Sequence, residues 1–262
     1  MLIDRLTDAW KSIPWRILSE RPVSPALNVA LDEVLVDRIA VADSLPTLRF
    51  WGWDSAAVIL GRCQSVANEV DLPAARDLGM TVVRRMTGGG AMFLQPHGAI
   101  TYSLILPEAL VEGLTLRQSY EVCDAWCVSV LRELGIDCEY RPINDIACAA
   151  GKIAGAAQAR RRGVVLHHTA LAYALDNEEM LRVLRLGREK LKERGVASAT
   201  KVVAPLNLQT ALSREAIVEA LRDGFIERYG GTIGELGADE MEAAEALVQT
   251  KYGTAEWTNE FE

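Results

Sequence analysis

The sequence predicts a mixed α+β domain, and three observations carry that prediction. Short runs rich in β-branched and aromatic residues alternate with segments whose apolar residues recur near 3.6. Half of the 262 residues are apolar, enough for a substantial core. No internal repeat, low-complexity tract or Pro/Gly/Ser-rich linker divides the chain. One domain over residues 1–262 is therefore the economical reading, with a helical C-terminal part from about residue 205 to 262 packed on it.

The elements follow in order. Trp15 to Leu18 reads as a short strand. Ser24-Pro25-Ala26 is a cap with proline in the first helical turn. The helix behind it places Leu27, Val29, Ala30, Leu31, Val34, Leu35 and Ile39 at helical spacing and stops at Leu45-Pro46. Residues 47–53 and 56–61 read as strands joined by a turn at Asp54-Ser55. A short helix, 72–78, precedes a strand, 81–85, that runs into a triple glycine. Another strand spans 99–106, and a long helix, 116–134, ends at Gly135. Residues 152–158 look extended, Arg160-Arg161-Arg162-Gly163 forms a polar hairpin turn, and 164–171 returns as a strand. Helices are expected at 178–186, 188–194, 214–229 and 239–252.

Composition excludes several classes. A net charge of −8 argues against a general nucleic-acid binder, which carries a basic face. No uncharged apolar run reaches the roughly 18 residues of a spanning helix. Asp4, Arg5, Asp8, Lys11 and Arg16 interrupt the first seventeen residues, so a secretory signal is not expected. Five cysteines, an odd number with no Cys-x-x-Cys pair, fit a reduced cytoplasmic protein. Cys123 and Cys127 read as buried thiols on one helix face, and with three histidines in the chain no structural metal site is expected.

Two segments carry the chemistry. In Arg84-Arg85-Met86-Thr87-Gly88-Gly89-Gly90-Ala91-Met92-Phe93, three consecutive glycines cost backbone entropy, so something needs their freedom. The run is neither the dinucleotide fingerprint nor a P-loop. It suits an elongated ligand with an apolar end and an anionic end. Arg84 and Arg85 alternate on a strand, so one faces the ligand and the other is a candidate surface residue. In the second segment, Lys152 stands between Gly151 and Gly155 among six alanines. A lysine in that company reads as charge work in a pocket rather than as a snorkelling surface residue. Asn144-Asp145, just upstream, could hold a hydrated Mg²⁺ or a nucleotide group, although such a pair is commonly a turn. His167 and His168 occupy opposite strand faces, one inward and one solvated. Cys148 lies near Lys152 with no neighbour in sequence that would activate it.

Together these segments resemble the signatures of the lipoate–protein ligase family. That family's patterns are an arginine pair leading to Gly-Gly-Gly-Ala and an aromatic; Asn-Asp followed by a lysine and Gly-x-Ala; and a histidine-bearing hairpin strand, here His167-His168-Thr169-Ala170-Leu171. Lys251-Tyr252-Gly253-Thr254-Ala255-Glu256-Trp257 resembles its closing segment. The resemblance implies the α+β catalytic fold shared with biotin ligases, with mixed β-sheets flanked by helices. It implies a two-step reaction: lipoate and MgATP give lipoyl-adenylate, and the acyl group passes to a lysine of a carrier domain. It further implies that Arg85, Gly90, Ala91, Met92, Phe93 and Lys152 bind ATP, and that Gly88, Gly89, Lys152 and His168 bind lipoate. Lys152 is then the catalytic residue.

Two departures from the pattern stand out. Where relatives of this family carry a histidine soon after the glycine–aromatic run, this chain has Leu94-Gln95-Pro96, and His97 comes one residue late. The chain ends at Glu262 without an accessory C-terminal domain, which resembles the bipartite type that uses a small separate subunit. One rival is an octanoyltransferase of the same fold, working through a cysteine thioester without ATP. The Cys-Phe-Asp segment of such transferases is missing here, and Cys138 and Cys148 are the candidates in its place. A second rival is a non-catalytic lipoyl- or biotinyl-binding protein. The arginine triplet 160–162 is open to two readings, a solvated hairpin tip or a docking patch for the carrier.

Overall fold

A computed structural model describes residues 8–191, 198 and 202–262. The strands are β1 (Arg16–Leu18), β2 (Pro22–Val23), β3 (Thr47–Trp53), β4 (Ala57–Leu60), β5 (Thr81–Arg84), β6 (Met92–Leu94), β7 (Ala99–Pro107), β8 (Glu139–Arg141), β9 (Asp145–Cys148), β10 (Gly151–Arg161), β11 (Val164–Ala172) and β12 (Thr232–Gly234). The helices are α1 (Pro25–Ala40), α2 (Val66–Glu69), α3 (Leu72–Asp77), α4 (Leu116–Glu133), α5 (Asn177–Val183), α6 (Arg214–Tyr229), α7 (Ala238–Leu247) and α8 (Ala255–Thr258). This is the mixed α+β fold the sequence predicts. Among these residues no helix is long and apolar enough to cross a membrane.

A large sheet runs in the order β12-β1-β3-β7-β11-β10-β9-β8, with β2 added beside β3. β12, β1 and β3 are parallel, and every pairing from β3 through to β8 is antiparallel. A small sheet, β5-β4-β6, stands apart from it. Strand alternation splits the large sheet into two apolar faces. Leu48, Phe50, Leu104 and Val165 pack with Val122, Trp126 and Leu131 of α4 and with Leu221 and Phe225 of α6. Trp51 and Trp53, one residue out of phase with Phe50, pack with Val29, Leu31 and Val34 of α1 and with Ile59 and Val83 of the small sheet.

Helix ends follow their sequence signals. Ser24 Oγ caps α1 by accepting from Leu27 N at 3.3 Å. Thr115 and Gln118 close a capping box at the start of α4. The region from residue 205 onward is not wholly helical, because β12 extends the large sheet beside β1. It also straddles the sheet: α6 packs in the core with α4, whereas Ala244 of α7 packs in the core with α1. The charged helix expected at 188–194 is not found over its described residues, 188–191. Gly187, with φ +69°, ends the preceding segment in a turn. Residues 192–194 lie outside the described residues.

Candidate active site

The triple glycine is built by two arginines that both turn inward. Arg84 is fully buried. Its guanidinium donates to the carbonyls of Gly61 (3.0 Å), Arg62 (3.1 Å) and Gln64 (2.6 Å), and across to Trp257 (3.0 Å) and Thr258 (3.1 Å). Arg85 donates through Nε to Thr87 Oγ1 (2.8 Å), through Nη1 to Ile59 O (3.0 Å), and through Nη2 to Gly90 O (2.9 Å) and Gly88 O. Burial pulls the Arg85 guanidinium down to about 10, still charged at neutral pH. The expectation of one ligand-facing and one surface arginine is thus corrected. A planar five-donor fork suits convergent carbonyls, and here both forks bind backbone. Arg85 ties the two ends of the glycine run together, and Arg84 ties β5 to the C-terminal segment.

The bend fits closely against β4. A Cβ on Gly61 would lie 2.0 Å from Gly89 O, so only glycine fits there. Gly89 itself has φ +84°, a left-handed conformation that glycine adopts freely.

Lys152 is set by an irregularity in β10. The β9–β10 register shifts between Lys152 and Ala154. Lys152 N donates to Val202 O and Ala204 N to Lys152 O, each at 2.8 Å, which clamps the backbone. The side chain then folds over Gly155, where a Cβ would meet Nζ at 2.3 Å. Nζ pairs with Asp145 Oδ1 at 3.0 Å, the lysine side chain being 28 % exposed and the aspartate 8 %. Asn144 is the last residue of a turn over 142–144, as such a pair commonly is, while Asp145 is already strand. Asp145 opens β9, and Asn144 hooks β10 by donating Nδ2 to Ala156 O at 2.6 Å and accepting from Ala156 N at 2.8 Å.

Bend and lysine share one cavity of about 330 Å³. Arg85, Gly89, Gly90, Ala91, Met92, Phe93, Asn144, Asp145 and Lys152 all line it. Gly88 and His168 do not. His168 is buried beneath the bend, between Asp32 and Thr87. His167 is buried on the other face against Asp124 at 2.8 Å. The expectation of one solvated histidine is corrected, because helices cover both faces of β11. His97 is exposed in the turn between β6 and β7 and does not itself line the cavity, although its neighbour Gly98 does.

Sequence reasoning missed part of the wall. Ser198 Oγ accepts from Ala91 N (2.9 Å) and Gln64 Nε2 (3.0 Å), and its own N–H donates to Glu69 at 3.2 Å. Leu175, Met180 and Leu184 give the cavity an apolar end. Nothing local marks Ser198, whose side-chain and backbone partners Gln64, Glu69 and Ala91 lie more than 100 positions away along the chain.

None of the five cysteines lines the cavity. Cys123 and Cys127 are buried on α4, their thiols raised by burial and by the Asp124 charge. Burial pushes the Cys138 thiol up to about 11. Cys148 sits in the α4-side core, and Cys63 is exposed. The arginine triplet is paired within the chain: Arg160 with Glu108 (2.9 Å), Arg161 with Glu33, and Arg162 with Asp37 (3.1 Å).

The arrangement can hold an elongated anionic ligand: an apolar end, a glycine backbone with room for close approach, and one ammonium at the mouth. The lipoyl protein ligase A/B catalytic domain model matches residues 24–226. A protein named octanoyltransferase LipM from Kyrpidia tusciae is 32% identical over 271 residues, covering 93% of this chain and 97% of that relative. A solved structure of a lipoate-protein ligase A bound with ATP superposes with a TM-score of 0.79 at 27% identity, covering 95% of this chain and 100% of the other. A bi-partite lipoate protein ligase from Thermoplasma acidophilum, described together with its E2 lipoyl domain, gives 0.78 at 26% identity, covering 95% and 97%. With the glycine bend, the lysine and the cavity they share, these likenesses place the chain in the lipoyl protein ligase A/B catalytic domain family.

Proposed function

We propose that this protein is an ATP-dependent lipoate–protein ligase that makes lipoyl-adenylate and passes the acyl group to a lysine of a carrier domain. The observation that carries this reading is the cavity itself: an ammonium and a glycine bend bound it, and no thiol does. In the first step a lipoate carboxylate oxygen attacks the α-phosphorus of ATP and pyrophosphate leaves. Negative charge grows on the oxygens between the acyl carbon and phosphorus. Lys152 meets that charge, stabilising the transition state more than the ground state. In the second step the carrier amine attacks the acyl carbon and AMP leaves. Gly89 to Phe93 lie along the nucleotide, and Arg85, itself part of the cavity lining, keeps their backbone in shape.

Among the described residues no cluster of three His, Cys, Asp or Glu could hold a metal. Asp145 and Asn144 fit the sparse oxygen set of Mg²⁺, which keeps water and phosphate ligands. A Mg²⁺ ion held there would supply charge neutralisation on the phosphates.

The likeness to proteins named octanoyltransferase favours a second reading, acyl transfer through a cysteine thioester without ATP. The raised Cys138 thiol is a poor nucleophile, which weighs against that candidate; Cys148 is buried and is not among the cavity's lining residues. Lipoate-dependent ATP–pyrophosphate exchange separates the two. The ligase reading expects exchange, retained in Cys138→Ala and Cys148→Ala. ATP-independent transfer of an octanoyl group from octanoyl-acyl carrier protein, releasing the carrier thiol and lost in one cysteine variant, would overturn it. We also propose that adenylation needs a small separate subunit; a full exchange rate from the purified chain alone contradicts that.

A further inference from the structure

Beneath the glycine bend lies a closed chain of buried polar groups that no step of the reaction uses. Thr87 is fully buried, and its Oγ1 accepts from Arg85 Nε at 2.8 Å. The same oxygen lies 2.8 Å from His168 Nε2. His168 Nδ1 lies 3.3 Å from Asp32 Oδ2 on α1. Asp32 also receives Arg49 Nη1 at 3.1 Å, and Ser103 Oγ at 2.9 and 2.8 Å on its two oxygens. Ser103 in turn accepts from Trp51 Nε1 at 2.7 Å. Thr87, His168, Asp32, Arg49 and Ser103 are each at most 3 % exposed.

The Asp32 carboxylate can only accept, so His168 Nδ1 carries the ring hydrogen and donates it to Asp32. In the neutral ring Nε2 is then unprotonated and accepts, so the Thr87 hydroxyl donates to it while accepting from Arg85 Nε. We propose that Asp32 and His168 are positioning residues for the glycine bend, holding Thr87 so that the backbone from Gly88 to Gly90 keeps the shape that lines the reaction cavity. The link from Thr87 to the cavity is Arg85, whose guanidinium binds Thr87, Gly88 and Gly90 at once. The kinetic part of this inference rests on the ligase reading; the structural part does not.

Burial keeps His168 neutral against the raising effect of Asp32, with Arg85 and His167 acting in the same direction as burial. The order Thr–His–Asp imitates a nucleophile triad, but Thr87 does not line the cavity and its hydroxyl is engaged by both Arg85 and His168, so it braces rather than attacks.

The test compares Thr87→Val, Thr87→Ser and Asp32→Asn in the full chain. Amide hydrogen exchange over residues 86–92 is read against exchange in α4 as the internal control. Thr87→Val and Asp32→Asn should speed exchange in the bend by about tenfold or more with α4 unchanged, and Thr87→Ser should stay within about threefold of the parent. In pyrophosphate exchange Thr87→Val should raise KM for ATP by about tenfold, with kcat within about threefold. Bend protection unchanged in Thr87→Val, or Thr87→Ser as damaging as Thr87→Val, overturns the proposal. So does an acyl adduct on Thr87 in denatured protein. A parent that performs no exchange reaction sinks the ligase reading, while hydrogen exchange still decides this one.

Discussion

The role proposed for Lys152 depends on what Gly155 lacks. A methyl on Gly155 would occupy space 2.3 Å from Nζ, yet the atom in its way is the tip of a flexible side chain. Gly155→Ala should therefore fold, with a melting temperature within about 2 °C of the parent, and still displace the ammonium. We expect kcat for lipoate-dependent pyrophosphate exchange to fall at least about tenfold in Gly155→Ala and about 10²–10³-fold in Lys152→Met. Full activity in both would remove Lys152 from the mechanism. His168 makes a prediction of a different kind. Its folded pKa lies below 6.5 because of burial, so below that pH the unfolded chain binds more protons than the folded one. Stability from this group is present above about pH 6.5 and is lost as pH falls toward 5. The urea midpoint should drop between pH 7.5 and 5, and should drop less in His168→Gln. Equal slopes in the two proteins would mean that His168 is not buried neutral.

At the scale of elements, the bend, β4 and the C-terminal segment act as one unit with Arg84 at its centre. Arg84→Met leaves carbonyls of five residues without their donor. Unsatisfied buried polar groups cost about 1–3 kcal/mol each before relaxation, so a loss of about 3 kcal/mol or more is expected, measured by urea unfolding. Gly61→Ala puts Cβ 2.0 Å from the Gly89 carbonyl oxygen, a backbone atom that cannot yield cheaply. It should abolish exchange activity while Gly155→Ala only reduces it; equal effects would mean the bend does not need β4. Periodicity showed α1, β3 and α4 plainly, because long segments average out local exceptions. β6, β8 and β12, at three residues each, are too short to show a period. β9 went unread because Asn144-Asp145 looks like a turn, and only pairing with β10 makes it extended. The bend and Lys152 stood out because their composition is unusual for a core. The inward turn of both arginines, Ser198 and the Asp32–His168–Thr87 chain did not, because each depends on contacts between distant parts of the sequence.

At the scale of the whole molecule, two layers divide the labour. The α4 side of the large sheet is dense with Trp10, Trp15, Trp126 and Phe225 and carries no cavity residue from α4 or α6. The α1 side holds the small sheet, the bend and the cavity between them. All five cysteines lie off the cavity wall, and the proposed reading assigns the chemistry to an ammonium and a shaped backbone, with ATP as the source of activation. That is the central claim. The direct check is the intact mass of a candidate lipoyl-carrier domain incubated with this protein and lipoate, with and without MgATP, adding the separate subunit if one is required. The account predicts a lipoyl adduct on one carrier lysine only when MgATP is present, and none with Lys152→Met. An adduct formed equally well from octanoyl-acyl carrier protein without ATP would contradict it.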